Sequence, residues 1–99
     1  YGVADIPKAY KLFANYPNPF NPTTTITYQL PKASQIRLTV YNLLGQEVRT
    51  LVNTKQASGS YSIGWNSRDN NNKLVPTGVY VYKIEAGDFV QSRKMVLVK

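Results

Sequence analysis

The stretch Asn15-Tyr16-Pro17-Asn18-Pro19-Phe20-Asn21-Pro22, called the proline arm below, fits no regular secondary structure. Its three prolines lack a backbone N–H and have a fixed φ angle, which excludes a helix or a central strand. The residue before each proline is pushed towards extended geometry, and asparagine side chains can bond neighbouring backbone groups. The sequence therefore predicts a stiff extended arm, anchored by the two aromatic residues Tyr16 and Phe20.

After the arm, the chain alternates between apolar and polar residues in the manner of half-buried strands. Three segments show this best: Thr24, Ile26, Tyr28 and Leu30; Ile36, Leu38 and Val40, with Arg37, Thr39 and Tyr41 outward; and Tyr61, Ile63 and Trp65. Residues 47–52, 78–86 and 89–98 predict three more strands, and the arm counts as a short edge strand. Turn signals every ~8–12 residues complete the pattern of a sandwich. We predict an all-β fold, an immunoglobulin-like antiparallel β-sandwich of about seven strands without a disulfide.

Loops and turns separate these strands. Residues 42–45 predict a tight turn in which Gly45 has a positive φ, and Gly87-Asp88 predicts a two-residue hairpin connection. Residues 53–59 and 66–77 are polar and predict loops. Within the second loop, Asp69 to Asn72 resembles a calcium loop weakly, but the sixth-position glycine and the late glutamate are missing. A polar turn is therefore expected.

The side chains needed for catalysis are scarce. The chain has no histidine and no cysteine, so the usual triad and the usual nitrogen or thiolate metal ligands are unavailable. Its five carboxylates share no acid–base motif, and turn chemistry explains Asp69 and Asp88. We expect no enzyme activity, no bound metal and no cofactor.

Charge and hydropathy limit the partners. The net charge is +7, but the cations are scattered from Lys8 to Lys99, whereas nucleic-acid sites concentrate them in a stripe. No apolar run approaches the ~20 residues of a membrane helix. We expect neither nucleic-acid binding nor membrane insertion. A carbohydrate-binding surface would need exposed aromatic side chains. By pattern Tyr41 faces outward, and either Tyr80 and Tyr82 or Val79 and Val81 face outward as well. Most tyrosines are nevertheless expected to fill the core.

The last strand is unusual because Met95, Val96, Leu97 and Val98 place apolar groups on both faces. Such a strand is either central in a covered sheet or an edge with which a partner pairs. The pattern leaves both alternatives open.

The chain resembles one family over about residues 7–99. The matching motifs are the arm with Thr23-Thr24-Thr25-Ile26, then Val40 to Val48, Leu51, Gly59, Trp65-Asn66, Pro76 to Tyr80 and Lys94 to Leu97. They are similar to the type A C-terminal sorting domain of type IX secretion (Por secretion) cargo in Bacteroidetes-related bacteria. The immunoglobulin-like domain of the flagellar hook-capping protein shares the pattern. Arg93 replaces a frequent lysine, and Asn72 stands where many relatives have a turn glycine.

The resemblance implies a non-enzymatic C-terminal signal that directs an attached cargo through the periplasm to the cell surface or medium. Its partners would be the type IX machinery, a surface sortase and a covalently fused N-terminal cargo domain. The implied recognition residues are Gly78, Val79, Tyr80, Lys94, Met95, Val96, Leu97, Val98 and Lys99. The structural motif is Asn18, Pro19, Phe20, Asn21, Pro22, Gly45 and Trp65.

Residues 1–9 would then be a linker from the cargo, and residues 10–99 the sorting domain. A start at Tyr1, without the features of a signal peptide, makes us expect a fragment of a longer protein. Two alternatives are kept: a structural or assembly module of the hook-cap type, and an accessory carbohydrate-binding sandwich.

Overall fold

The computed structural model describes residues 6–99, which form seven β-strands and no helix. The strands are β1 (Lys11–Leu12), β2 (Thr24–Leu30), β3 (Ser34–Tyr41), β4 (Glu47–Gln56), β5 (Gly59–Trp65), β6 (Gly78–Ala86) and β7 (Phe89–Leu97). They pair into an antiparallel sheet of order β1-β2-β5 and a second of order β4-β3-β6-β7. The predicted all-β sandwich is confirmed. Residues 1–5 of the predicted linker lie outside the described residues.

The core lies between the two sheets, where the inward side chains of alternating positions meet. The buried apolar residues are Leu12, Phe20, Ile26, Tyr28, Leu30, Ile36, Leu38, Val40, Trp65, Tyr80, Tyr82, Ile84, Ala86, Met95 and Leu97. In β6 the tyrosines therefore face inward, and Val79 and Val81 face outward. This settles the alternative that the alternation alone left open.

The turn predictions hold. Gly45 has φ 79° and Gly87 has φ 58°. The side-chain oxygen of Asn42 accepts hydrogen bonds from the backbone N–H groups of Leu44 (2.9 Å) and Gln46 (3.0 Å), which fixes the first turn.

Three local predictions were wrong. β4 continues to Gln56 instead of ending at Val52, because its polar second half pairs with β3 from Arg37↔Asn53 to Ser34↔Gln56. The first strand is β1, ahead of the proline arm, and the arm itself forms only isolated bridges. Thr39, predicted outward, is fully buried, because the β3–β4 register shifts between Leu38 and Thr39 and breaks the simple alternation there.

One end of the sandwich, called the arm end, carries the proline arm. The turn at residues 42–46, the loop at 66–77 and the last residues of β7 lie at the same end, because β3, β5 and β7 finish there and β4 and β6 begin there. This end gathers the residues that the sequence singled out.

Candidate functional site: the proline arm on the terminal strand

The last strand, β7, is an edge strand whose free side is covered at one end by the proline arm. The backbone N–H of Phe20 donates to the carbonyl oxygen of Val96 (2.9 Å), and the N–H of Val98 donates to the carbonyl oxygen of Phe20 (3.0 Å). The side-chain oxygen of Asn18 accepts from the N–H of Val96 (3.0 Å). The asparagine side chain thus acts as an acceptor at the strand edge, where a neighbouring strand would offer a backbone carbonyl.

A second contact, earlier in β7, connects this strand to β1. The Arg93 guanidinium Nε donates to the carbonyl oxygen of Leu12 (2.8 Å). Besides Val96 and Val98, the outward backbone groups of β7 belong to Val90, Ser92 and Lys94, as the alternation of the antiparallel register requires. Of the two alternatives for the last strand, the structure selects the edge, with the protein's own arm as partner of its final residues.

Beneath the arm lies an aromatic cluster formed by Phe20, Trp65 and Tyr80. The ring centroids of Phe20 and Trp65 are 5.9 Å apart, and those of Trp65 and Tyr80 are 5.5 Å apart in a T-shaped arrangement. Tyr80 lies directly opposite Met95 in the β6–β7 register, and Met95 is fully buried. The indole N–H of Trp65 donates to the carbonyl oxygen of Arg68 (2.9 Å), so its polar atom is satisfied.

The predicted anchors of the arm behave differently. Phe20 is 1% exposed, but Tyr16 is 81% exposed. The prediction that Tyr16 is an anchor was therefore wrong. Tyr16 is held through its backbone instead, by two hydrogen bonds with Thr25 (3.0 and 2.9 Å), and this pairing turns its ring away from the core.

The structure brings most predicted recognition and motif residues together, but in different environments. Tyr80, Met95 and Leu97 are buried, Val79 and Val96 are half-buried, and Gly78, Lys94, Val98 and Lys99 are exposed. Asn18, Pro19, Asn21 and Pro22 are exposed in the arm. Gly45 lies at the same end, in the turn between β3 and β4. Only the exposed members are accessible to a partner without unfolding.

Sequence reasoning missed the role of Asn15. Its side-chain N–H donates to the Thr24 hydroxyl oxygen (2.9 Å), and that hydroxyl donates to the Pro17 carbonyl oxygen (2.8 Å). Asn15 is 4% exposed, and these bonds fold the start of the arm onto β2. An asparagine two residues before a proline is the one sequence signal for such a contact.

Three buried tyrosines make stability pH-dependent. Burial raises the pKa of Tyr28, Tyr80 and Tyr82 above the ordinary value of 10.0. The Tyr82 hydroxyl donates to the Phe13 carbonyl oxygen (2.7 Å) and the Tyr80 hydroxyl to the Pro76 carbonyl oxygen (2.6 Å), bonds that a phenolate cannot make.

The unfolded chain therefore loses its phenol protons at lower pH than the folded protein does. The contribution of these tyrosines to stability is fully present below pH about 10 and should fall as the pH rises above it. Urea unfolding between about pH 8 and 11 measures this, and a Tyr82→Phe variant should show a smaller fall. A stability that stays constant or increases over this range would contradict the assignment.

A groove of about 460 Å³ also lies at the arm end, and its lining includes Glu47 and Asp69. Both carboxylates are engaged in structure. Glu47 forms an ion pair with Arg37 (2.7 Å) and accepts hydrogen bonds from Thr50 (3.1 Å) and Asn70 (3.2 Å). No group of three metal-ligating side chains occurs in residues 6–99.

The loop that resembled a calcium loop is a polar turn, as predicted. One oxygen of Asp69 accepts from the N–H groups of Asn71 (2.9 Å) and Lys73 (3.0 Å). Asn72 has φ 62°, a left-handed conformation that glycine adopts readily and that asparagine tolerates. The departure from the family pattern at Asn72 therefore leaves the loop geometry intact.

Two antiparallel sheets of three and four strands, packed face to face and closed by the arm, define an immunoglobulin-like domain. Residues 18–88 match the family model of the FlgD Ig-like domain. The chain belongs to this family. The match ends at Asp88, before β7 begins.

Solved structures share the fold. PorU from Porphyromonas gingivalis, solved as a latent dimer, superposes with a TM-score of 0.73 at 16% identity, covering 98% of this chain and 10% of its own. PorZ from the same organism gives 0.60 at 17%, covering 89% and 11%. FlgD from P. aeruginosa gives 0.59 at 24%, covering 75% and 57%. The chain thus spans about a tenth of PorU and PorZ, and the likeness is one of fold.

No curated protein matches the sequence. No helix in residues 6–99 is both long enough and apolar enough to cross a membrane.

Proposed function

We propose that residues 10–99 are a non-enzymatic sorting domain that directs an N-terminally attached cargo through the type IX secretion system to the cell surface or medium. The motif resemblance over the arm and the terminal strand supports this. The likeness to parts of PorU and PorZ also supports it, since PorZ is described as an essential bacterial surface component of the type-IX secretion system. The structural observation that carries the proposal is the pairing of the arm with β7, which brings most of the implied recognition residues together at one end of the sandwich.

The pairing of the arm with β7 also indicates how a receptor reaches the terminal strand. A receptor strand cannot add beside Val96 and Val98 while the arm holds their backbone groups. The first contact therefore uses the exposed side chains of Lys94, Val98 and Lys99. Glu47 and Asp69 are engaged in hydrogen bonds and an ion pair within the domain and have no catalytic role in this proposal. The domain requires no cofactor, no nucleic acid and no membrane insertion for this role.

The test is secretion of a full-length cargo in a bacterium with an intact type IX system. Deleting Met95 to Lys99 should abolish cargo in the culture medium. Because this deletion also removes buried Met95 and Leu97, it is paired with the surface variant Lys94→Ala/Lys99→Ala, which should lower secretion several-fold and leave the melting temperature unchanged.

The matched control is Lys32→Ala/Lys55→Ala, which removes two exposed lysines outside the arm end. This variant should secrete like the parent chain. Undiminished secretion of the deletion variant would end the proposal. Equal secretion by both lysine variants would remove Lys94 and Lys99 from the recognised surface.

A structural or assembly module of the hook-cap type is the second candidate, and the family match over residues 18–88 favours it. Such a module would stand inside a flagellar protein, so the position of the domain in its full open reading frame distinguishes the two. A carbohydrate-binding sandwich is the third. The ring of Tyr41 faces outward but is covered by Lys83, whose Nζ lies 5.3 Å from the ring centroid. Retardation in affinity electrophoresis on soluble polysaccharides would favour it.

A further inference from the structure

The edge formed by β5 differs from the edges formed by β7 and β4 because no hydrogen bond within residues 6–99 covers it. The arm pairs with the end of β7 and covers part of that edge. On the β4 edge, the N–H of Asn70 donates to the Val48 carbonyl oxygen (3.0 Å), and the register with β3 carries two irregularities. β5 pairs with β2 over seven uninterrupted positions and has no such cover on its other side.

The free backbone groups of β5 can be assigned from the hydrogen bonds of β2. Thr25 exchanges both its backbone bonds with Tyr16, so its N–H and C=O point away from β5. Because these directions alternate along a strand, Ile26 and Tyr28 are the residues that bond to Ile63 and Tyr61. The N–H and C=O groups of Ser60, Ser62 and Gly64 therefore point outward from the edge, and no hydrogen bond within residues 6–99 satisfies them.

Natural edge strands are usually protected by charges, prolines or bulges. β5 has none of these, and no charged residue occurs between Lys55 and Arg68. Its outward-facing positions carry only serine and glycine. Tyr61 and Ile63, on the inner face, are only partly buried, so apolar surface is left open at the same edge.

We propose that β5 pairs antiparallel with β5 of a second copy of this chain, about a two-fold axis at Ser62. Ser62 then lies opposite Ser62 of the second copy, and Ser60 lies opposite Gly64, which forms about six backbone hydrogen bonds. In this register Tyr61 lies opposite Ile63 of the second copy, so the half-buried apolar surface of each copy is covered by that of the other. The two three-stranded sheets join into one continuous sheet.

The charge of the chain also favours a second copy at this edge. Two chains of net charge +7 repel each other, and β5 is where they can approach without bringing cations together. β5 and β4 lie on the opposite side of the sandwich from β1 and β7, since Arg93 of β7 bonds to Leu12 of β1. The pairing therefore leaves the terminal strand accessible.

Disulfide trapping tests the register directly, because the chain has no native cysteine. In the proposed pair, the two Ser62 Cα atoms are about 5.5 Å apart, within the range of a disulfide. Thr27, opposite Ser62 on β2, is one strand further in, so the two Thr27 positions are about 14 Å apart. Under mild oxidation Ser62→Cys should cross-link at least tenfold faster than Thr27→Cys. Equal rates would overturn the proposal.

Sedimentation velocity of the unmodified chain, with charge variants, tests the association without a cross-link. Ser62→Lys places two like charges beside the axis and should raise the dimer dissociation constant at least tenfold. Thr27→Lys is the matched control, since it adds the same charge to the same face and breaks the same Thr27–Ser62 hydroxyl contact (3.0 Å). A chain that remains monomeric at about 1 mM, where even weak pairs form, or equal dimer fractions for both variants, would refute the pairing.

Discussion

Replacing Trp65 with alanine is expected to lower the free energy of unfolding by about 3–5 kcal/mol. The indole is 1% exposed and packs between Phe20 and Tyr80, so the substitution leaves a large cavity under the arm. It also leaves the Arg68 carbonyl oxygen without its donor. Since domains of this size are stable by only about 5–15 kcal/mol, much of the total would be lost.

Denaturant titration measures this loss. The control is Leu44→Ala, because Leu44 is 83% exposed and its truncation should change stability by less than about 0.5 kcal/mol. A loss below about 1 kcal/mol for Trp65→Ala would show that the indole is not a core residue.

Truncation of Phe20 is expected to have a similar effect, of about 3–5 kcal/mol, although the residue lies in a segment without regular structure. Its ring is buried against Trp65, and its backbone holds Val96 and Val98. Phe20→Ala should therefore also release the arm from β7. Amide hydrogen exchange at Phe20 and Val98 would accelerate more than exchange at the centre of β3.

Tyr16→Ala is the matched control, since it removes an aromatic ring four residues earlier in the same arm. Because that ring is 81% exposed, the expected loss is below about 0.5 kcal/mol. Similar losses of unfolding free energy for Phe20→Ala and Tyr16→Ala would show that Phe20 is not the only aromatic ring of the arm that packs into the core. Unchanged exchange at Val98 in Phe20→Ala would show that the ring does not hold the arm on the strand.

Local pattern was sufficient for most of the sandwich. The alternation from Thr24 to Leu30 predicted both the strand and its buried face, because in a half-buried strand every second side chain faces the core. The positive φ of Gly45 followed from the turn sequence. β4 was cut short because an exposed edge strand continues through polar residues that carry no alternation.

The site was less predictable, because it depends on contacts between distant parts of the chain. Tyr16 and Phe20 look equivalent in the sequence, and only the pairing of the arm with Thr25 on one side and Val96 on the other determines which ring is buried. The resemblance named the terminal strand as the working part. It carried no sign that Asn18 and Phe20 occupy its edge.

The bond from Asn18 to Val96 spans 78 residues and has a consequence for biosynthesis. While the ribosome is still adding residues 21–95, the arm has no strand on which to lie, and the aromatic rings beneath it remain uncovered. Closure of the sandwich must wait until residues 96–98 have emerged, so a chain that stops before residue 96 differs in shape from one that contains these residues.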